Sequence, residues 1–248
     1  MDLSTHNRQA KPRKDGMNLL IDGGLPTGLF EDYIHSFEPF IDGVKFGWGS
    51  GTVTPDIERK VACLKNLNIS FWFGGTAFEI AYHSGKFSEY VSWVKKHGAP
   101  RFELSDGVIE LAADARADLI KGLTQDFEVY TEVGSKDENV ILSPSVWVEM
   151  IGADFDSGAS RVILEGRESG AAGMYRKDGE VRTGLIDDVE LSGVNVKHLI
   201  FEAPNKNQQV WFLNRFGRDC NLANLPFDQI LNVETLRQGL RADTYDAS

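Results

Sequence analysis

At 248 residues, 42% of them hydrophobic and 25% charged, the chain has the composition of a globular protein with apolar material for a full core. Its formal net charge of −11 opposes phosphate backbones, and no basic stripe interleaved with aromatics offsets it, so nucleic acid is not an expected partner. No apolar run approaches the roughly 18 residues of a membrane-spanning helix, so no membrane partner is expected either.

The opening, MDLSTHNRQAKPRKDG, is polar and basic with no apolar segment behind it. It argues against a secretory signal and predicts a disordered lead-in over residues 1–16. From residue 17 to 248, short apolar runs alternate with helical patterns, with no linker or shift in composition, so a single domain is predicted there. The runs are MNLLID (17–22), VKFGW (44–48), ISFWFG (69–74), PRFELS (100–105), FEVYTEV (127–133), RVILEG (161–166), HLIFEA (198–203) and CNLAN (220–224). Rich in Val, Ile, Leu and Phe, they read as strands covered on both faces. Thr54-Pro55 and Ser143-Pro144 each set a hydroxyl cap before a proline suited to a first helical turn. The segment AFEIAYHSGKFSEYVSWVKKH (77–97) spaces its apolar residues for one buried helical face, and VETLRQGL (233–240) predicts the last helix. Eight strands alternating with helices predict a single-domain (β/α)₈ TIM barrel, an α/β fold. A doubly wound sheet is the competitor, but the first strand ends in IDGGLPTG rather than G-x-G-x-x-G.

Cys63 and Cys220 lie far apart, on a predicted helix and strand, with no spacing that suggests zinc. They are expected to be reduced core thiols of a cytoplasmic protein. His35, His83, His97 and His198 fall in helices or at their edges and are expected on the surface, without a role.

In such a barrel the functional face lies at the carboxyl ends of the strands. The residues there are Asp22, Lys45, Gly74 with Gly75, Glu103 with Asp106, Glu132, Glu165 with Arg167, Glu202, and Asn221 with Asn224. A single glutamate at a strand end is more often solvated or salt-bridged than a ligand. Four at matching places, Glu103, Glu132, Glu165 and Glu202, would repel one another unless cations sat between them. Lys45, Lys136 and Arg167 are available, and carboxylate oxygens suit Mg²⁺, held by two or three of the four. Which of them bind it stays open. Lys45, inside an apolar strand, must pair or lose its proton. The pairs Gly74-Gly75 and Asp106-Gly107 and the ESGAAG loop (168–173) could bare backbone N–H groups to an anion, and tight turns would explain them equally well. Phosphate in barrels often binds near the last two loops, which offer Lys206, Asn224 and helix N-termini.

Together these motifs resemble the phosphosulfolactate synthase family. The resemblance rests on IDGGLP (21–26), VKFGWG (44–49), FGGTAFE (73–79), ELSDG (103–107), TEVGSK (131–136), EGRESG (165–170), FEAPNK (201–206), NLANLPF (221–227) and ETLRQGLRADT (234–244), in order along nearly the whole chain. It implies a barrel lyase that adds sulfite to phosphoenolpyruvate with Mg²⁺, giving (2R)-phospho-3-sulfolactate, which in archaea begins coenzyme M synthesis. It implies Lys136 as general acid, leaving Lys45 and Arg167 to hold phosphate, carboxylate or sulfite. The family often carries Lys or Asn after the first-strand aspartate, where this chain has Gly23. That departure leaves a related enzyme acting on another phosphorylated enol or hydroxy acid as an alternative. The family's plant relatives associated with heat-stress tolerance make a non-enzymatic, stress-associated role a further one. Barrels of this size commonly associate, so a homo-oligomer stays open.

Overall fold

The computed structural model describes residues 3–4, 8–137 and 139–245. Every predicted strand run is a strand in it: β1 (Asn18–Asp22), β2 (Gly43–Phe46), β3 (Ser70–Phe73), β4 (Arg101–Leu104), β5 (Glu128–Val133), β6 (Arg161–Leu164), β7 (Leu199–Glu202) and β8 (Asn221–Leu225). All neighbours pair in parallel, in the order β3-β2-β1-β8-β7-β6-β5-β4, and the sheet curls until its two ends, β3 and β4, come into contact. The protein is a (β/α)₈ barrel. The β3/β4 seam has no backbone ladder among the described residues. Glu103 bridges it instead, accepting from Trp72 Nε1 (2.7 Å) and Gly75 N (2.6 Å).

Because strand side chains alternate between faces, each strand feeds two cores. One set fills the barrel: Leu19, Trp72, Tyr130, Ile163, Ile200 and Ala223, with Met17 below. The other, including Phe46, Phe71, Phe73, Phe102 and Phe201, meets the surrounding helices. Apolar demand on both sides explains why the strands read as continuous hydrophobic runs. It also leaves polar side chains only the two ends of a filled barrel.

The helices are α1 (Thr27–Phe37), α2 (Ser50–Val53), α3 (Ile57–Asn66), α4 (Gly75–His83), α5 (Phe87–His97), α6 (Ala113–Leu123), α7 (Pro144–Asp156), α8 (Thr183–Leu191), α9 (Lys206–Phe216) and α10 (Ile230–Arg237). Several local expectations need correcting. Residues 77–97 are not one helix: the chain breaks after His83, and Gly85 takes φ +70°, a conformation that suits glycine, before α5 begins. Thr54 caps nothing, since its hydroxyl donates back to Ser50 O (2.8 Å) and α3 starts only at Ile57. Ser143 does sit at the N-cap of α7 with Pro144 behind it, but its hydroxyl pairs with that of Ser145 (2.9 Å) rather than with the helix. The last helix begins three residues earlier than its pattern suggested, at Ile230. His97 is buried rather than exposed, its Nδ1 lying 2.8 Å from Trp93 O.

Of the lead-in 1–16, residues 1–2 and 5–7 lie outside the described residues, as do residues 246–248. Residues 8–16 form no helix or strand, and their cations reach the barrel's amino end: Arg8 pairs with Glu234 (2.9 Å), Lys11 with Glu38 (2.7 Å) and Arg13 with Asp42 (3.0 Å). Among the described residues, no helix is long and apolar enough to cross a membrane.

Candidate active site

At the carboxyl ends of the strands a cavity of about 190 Å³ opens. The alternation that places Trp72, Tyr130, Ile163 and Ile200 inside the barrel carries the next inward position of each strand up to its rim. That position is Glu132 above Tyr130, Glu165 above Ile163, Glu202 above Ile200, and Lys45 on β2 across from them. Lys45 Nζ lies 2.9 Å from Glu202 Oε1, 3.5 Å from Glu103 Oε2 and 3.8 Å from Glu132 Oε2. Lys136, just past β5, lies 2.9 Å from Glu132 Oε1 and 2.7 Å from Glu79 Oε1. Backbone amides complete the frame: Gly166 N donates to Glu202 Oε2 (2.9 Å) and Arg167 N to Glu165 Oε1 (2.6 Å).

Charge is unevenly matched here. Burial alone would discharge Lys45, but Glu103, Glu202 and Glu132 together hold its ammonium well above the usual lysine range. Lys136 likewise stays charged, because Glu132, Glu165 and Glu79 outweigh its burial. Burial also acts to raise Glu132, yet Lys136 and Lys45 bring it down to about 2. The cost falls on Glu165. Its burial, then Glu132 and Glu202, push it well above the usual carboxylate range. Its Oε2 is buried without a hydrogen-bond partner.

Glu132, Glu165 and Glu202 each offer an oxygen, and the three atoms lie within 4.8 Å of one another. An all-oxygen donor set with one unpartnered, buried oxygen fits a hard divalent cation such as Mg²⁺. Glu103 stands outside this trio, both its oxygens engaged across the seam.

Of the residues singled out in the sequence, the cavity gathers Lys45, Gly74, Gly75, Glu103, Glu132, Lys136, Glu165, Arg167, Glu202 and Asn224. Four lie elsewhere. Asp22 turns to the helix layer, where Oδ1 caps Gly24 N and Leu25 N (2.8 Å each) and Oδ2 takes Lys60 Nζ (2.6 Å). Asp106 pairs with Arg116 (2.9 Å), and Lys206 with Asp243 on the surface (2.8 Å). Asn221 is at the opposite, amino end, where it donates to Lys197 O and Leu199 O. Of the amides expected to be free for an anion, Gly75 N already serves Glu103, and Gly166 N, on a glycine not singled out, serves Glu202. A Cβ at Gly75 would stand 2.3 Å from Ser105 Oγ, so close packing requires glycine there.

Sequence reasoning passed over Glu79, Ser105 and Trp48. Glu79 was legible as a carboxylate beside Ala77 and Phe78 on the buried face of α4. Trp48 lines the cavity at φ +51°, and so do Arg167 (φ +57°) and Asn224 (φ +53°). Strained backbone of this kind concentrates where function demands it.

A family model described as (2R)-phospho-3-sulfolactate synthase (ComA) matches residues 6–243. The chain is 41% identical over 240 residues to a phosphosulfolactate synthase of Bacillus subtilis, covering 96% of this chain and 95% of that one. To a phosphosulfolactate synthase of Methanocaldococcus jannaschii it is 41% identical over 236 residues, covering 93% and 94%. Among solved structures, 3-hexulose-6-phosphate synthase superposes with a TM-score of 0.57 at 15% identity, over 89% of this chain and 98% of that one, a likeness of fold alone.

Proposed function

The chain belongs to the (2R)-phospho-3-sulfolactate synthase family, and from that premise we propose that it adds sulfite to phosphoenolpyruvate to give (2R)-phospho-3-sulfolactate. The observation that carries this reading is the convergence of three carboxylates and two charged lysines in one cavity. In the reaction a sulfite lone pair forms the C–S bond to the methylene carbon. The π electrons move to the adjacent carbon and the carboxylate as an enediolate, a proton then reaches that carbon, and the phosphate ester stays intact.

Glu132, Glu165 and Glu202 are the residues that would hold Mg²⁺. Bound there, the ion supplies positive charge near the oxygens on which the electrons collect. Lys45 adds a fixed ammonium on the other side of the cavity, where preorganised charge favours the enediolate over the ground state. Lys136, charged at neutral pH, donates the proton. Arg167, half-exposed at the rim, would receive the anions as they enter, and Asn224 lines the same cavity. The free, buried thiols of Cys63 and Cys220 accord with a cytoplasmic setting.

Phosphorus NMR tests the reading. With enzyme, Mg²⁺ and sulfite, the enol phosphate signal should give way to that of an alkyl phosphate ester, and persistence of the enol signal contradicts the proposal. Gly23 supports a second reading, a different phosphorylated enol or hydroxy acid. A Cβ there would meet the Trp48 ring at 3.0 Å, so the indole occupies space that a longer side chain would claim. A panel of nucleophiles and acceptors separates the two, since only the first requires sulfite.

A further inference from the structure

Glu79 belongs to neither the carboxylate trio nor the substrate-facing cations, yet it is fully buried beside the cavity (0% exposed). Its Oε1 accepts from Lys136 Nζ (2.7 Å) and from the Ser105 hydroxyl, and its Oε2 accepts from Val108 N (2.7 Å). Lys136 Nζ has a further contact with Ser105 Oγ (3.0 Å). An ammonium has three N–H bonds. Glu79 and Ser105 take two of them, with Thr76 Oγ1 3.4 Å away, and the third faces Glu132 Oε1 (2.9 Å) on the cavity side. The aliphatic stem is held as well. It crosses Gly107 so closely that a Cβ there would lie 2.8 Å from Lys136 Cγ and 2.9 Å from Cδ. The Val108 amide bond ties that same loop to Glu79. One carboxylate thus grips the ammonium and the loop beneath its stem.

We propose that Glu79 is the positioning residue of Lys136, holding its ammonium with one N–H aimed at the substrate carbon. The proposal rests on Lys136 being the proton donor. A lysine side chain left free spreads over many rotamer geometries, and misplacement of a reacting group by about 1 Å can cost roughly 100-fold in rate.

Two measurements on Glu79→Gln test it. In steady-state kinetics, kcat should fall about 10- to 100-fold while KM for phosphoenolpyruvate changes by less than about threefold. In a Lys136→Ala background the same substitution should cost nothing further, because the two act as one unit. An undiminished kcat, or an additive loss in that background, overturns the proposal. The second measurement is independent of turnover. Labelling by an amine-reactive reagent, read by mass spectrometry, should be about tenfold faster at Lys136 in the variant than in the wild type. Labelling at the exposed Lys197 should stay the same. Unchanged labelling at Lys136 in a folded variant overturns the positioning role. If Glu79→Gln does not fold, Ser105→Ala, which removes one of the two anchors, takes its place with the same signs. A wild-type protein inert towards sulfite and phosphoenolpyruvate would refute the proposed reaction, while the labelling would still decide whether Glu79 holds Lys136.

Discussion

The two ends of the barrel both bury charge, and they do so in opposite ways. At the amino end, Arg237 is fully buried and gives its N–H groups to Asn18 Oδ1 (2.8 Å), Arg218 O (2.6 Å), Cys220 O (2.8 Å) and Met17 O (3.0 Å). Asn18 passes the network on to Glu234, which Arg8 neutralises. At the carboxyl end, Glu79, Glu103, Glu132, Glu165 and Glu202 share Lys45 and Lys136, and one oxygen of Glu165 is left over. Strain follows the same division. Trp48 and Arg167 take positive φ at the mouth, whereas the other described non-glycine residues that do, Asn68 and Asn224, are of a type that tolerates it. A matched polar network holds a fold together, and a surplus of buried carboxylates is the kind that a bound cation would complete.

Lys136→Ala should break the mouth most severely. Turnover is expected to fall about 100- to 10,000-fold with phosphoenolpyruvate affinity largely kept, as read by steady-state rates beside calorimetric binding. The corresponding change at the other end, Arg237→Met, strands several carbonyls and leaves Glu234 with a weaker network. It should cost about 3–5 kcal/mol in urea unfolding with turnover per folded molecule unchanged. A loss of turnover without a loss of stability would dissolve the division.

A smaller effect concerns pH. Burial pushes the Cys220 thiol up to about 11, so folding favours its neutral form. That contribution is intact below the unfolded thiol value of about 8.5 and is lost as pH rises towards 11, on the order of 2 kcal/mol. Urea midpoints at pH 8 and pH 10.5 should show that loss, and Cys220→Ala should reduce it. The smallest stability change is expected for Trp48→Gly. Relief of about 1–2 kcal/mol of strain is offset by glycine's greater chain entropy, leaving stability within about 1 kcal/mol while KM rises severalfold. A large fall in stability would mean that Trp48 is there to pack.

The strands and ten of the cavity-lining residues were legible in the sequence because period-2 alternation and strand-end position are local signals. What misled was a matter of one residue or one layer. Ile21 faces the cavity, so Asp22 must face the helices. Asn221 begins its strand rather than ending it, which moves it the full length of the barrel. Glu79 lies on a helix, and only the fold brings its side chain beside Lys136. The split of 77–97 turned on Gly85, whose helix-breaking geometry is weaker in the sequence than the apolar pattern running through it.

Calorimetric titration with Mg²⁺ meets the central claim most directly. One ion per chain should bind to the wild type, and binding should vanish in Glu132→Gln, Glu165→Gln and Glu202→Gln while surviving in Glu103→Gln. Absence of binding to the folded wild type, or binding indifferent to all three changes, would contradict the account.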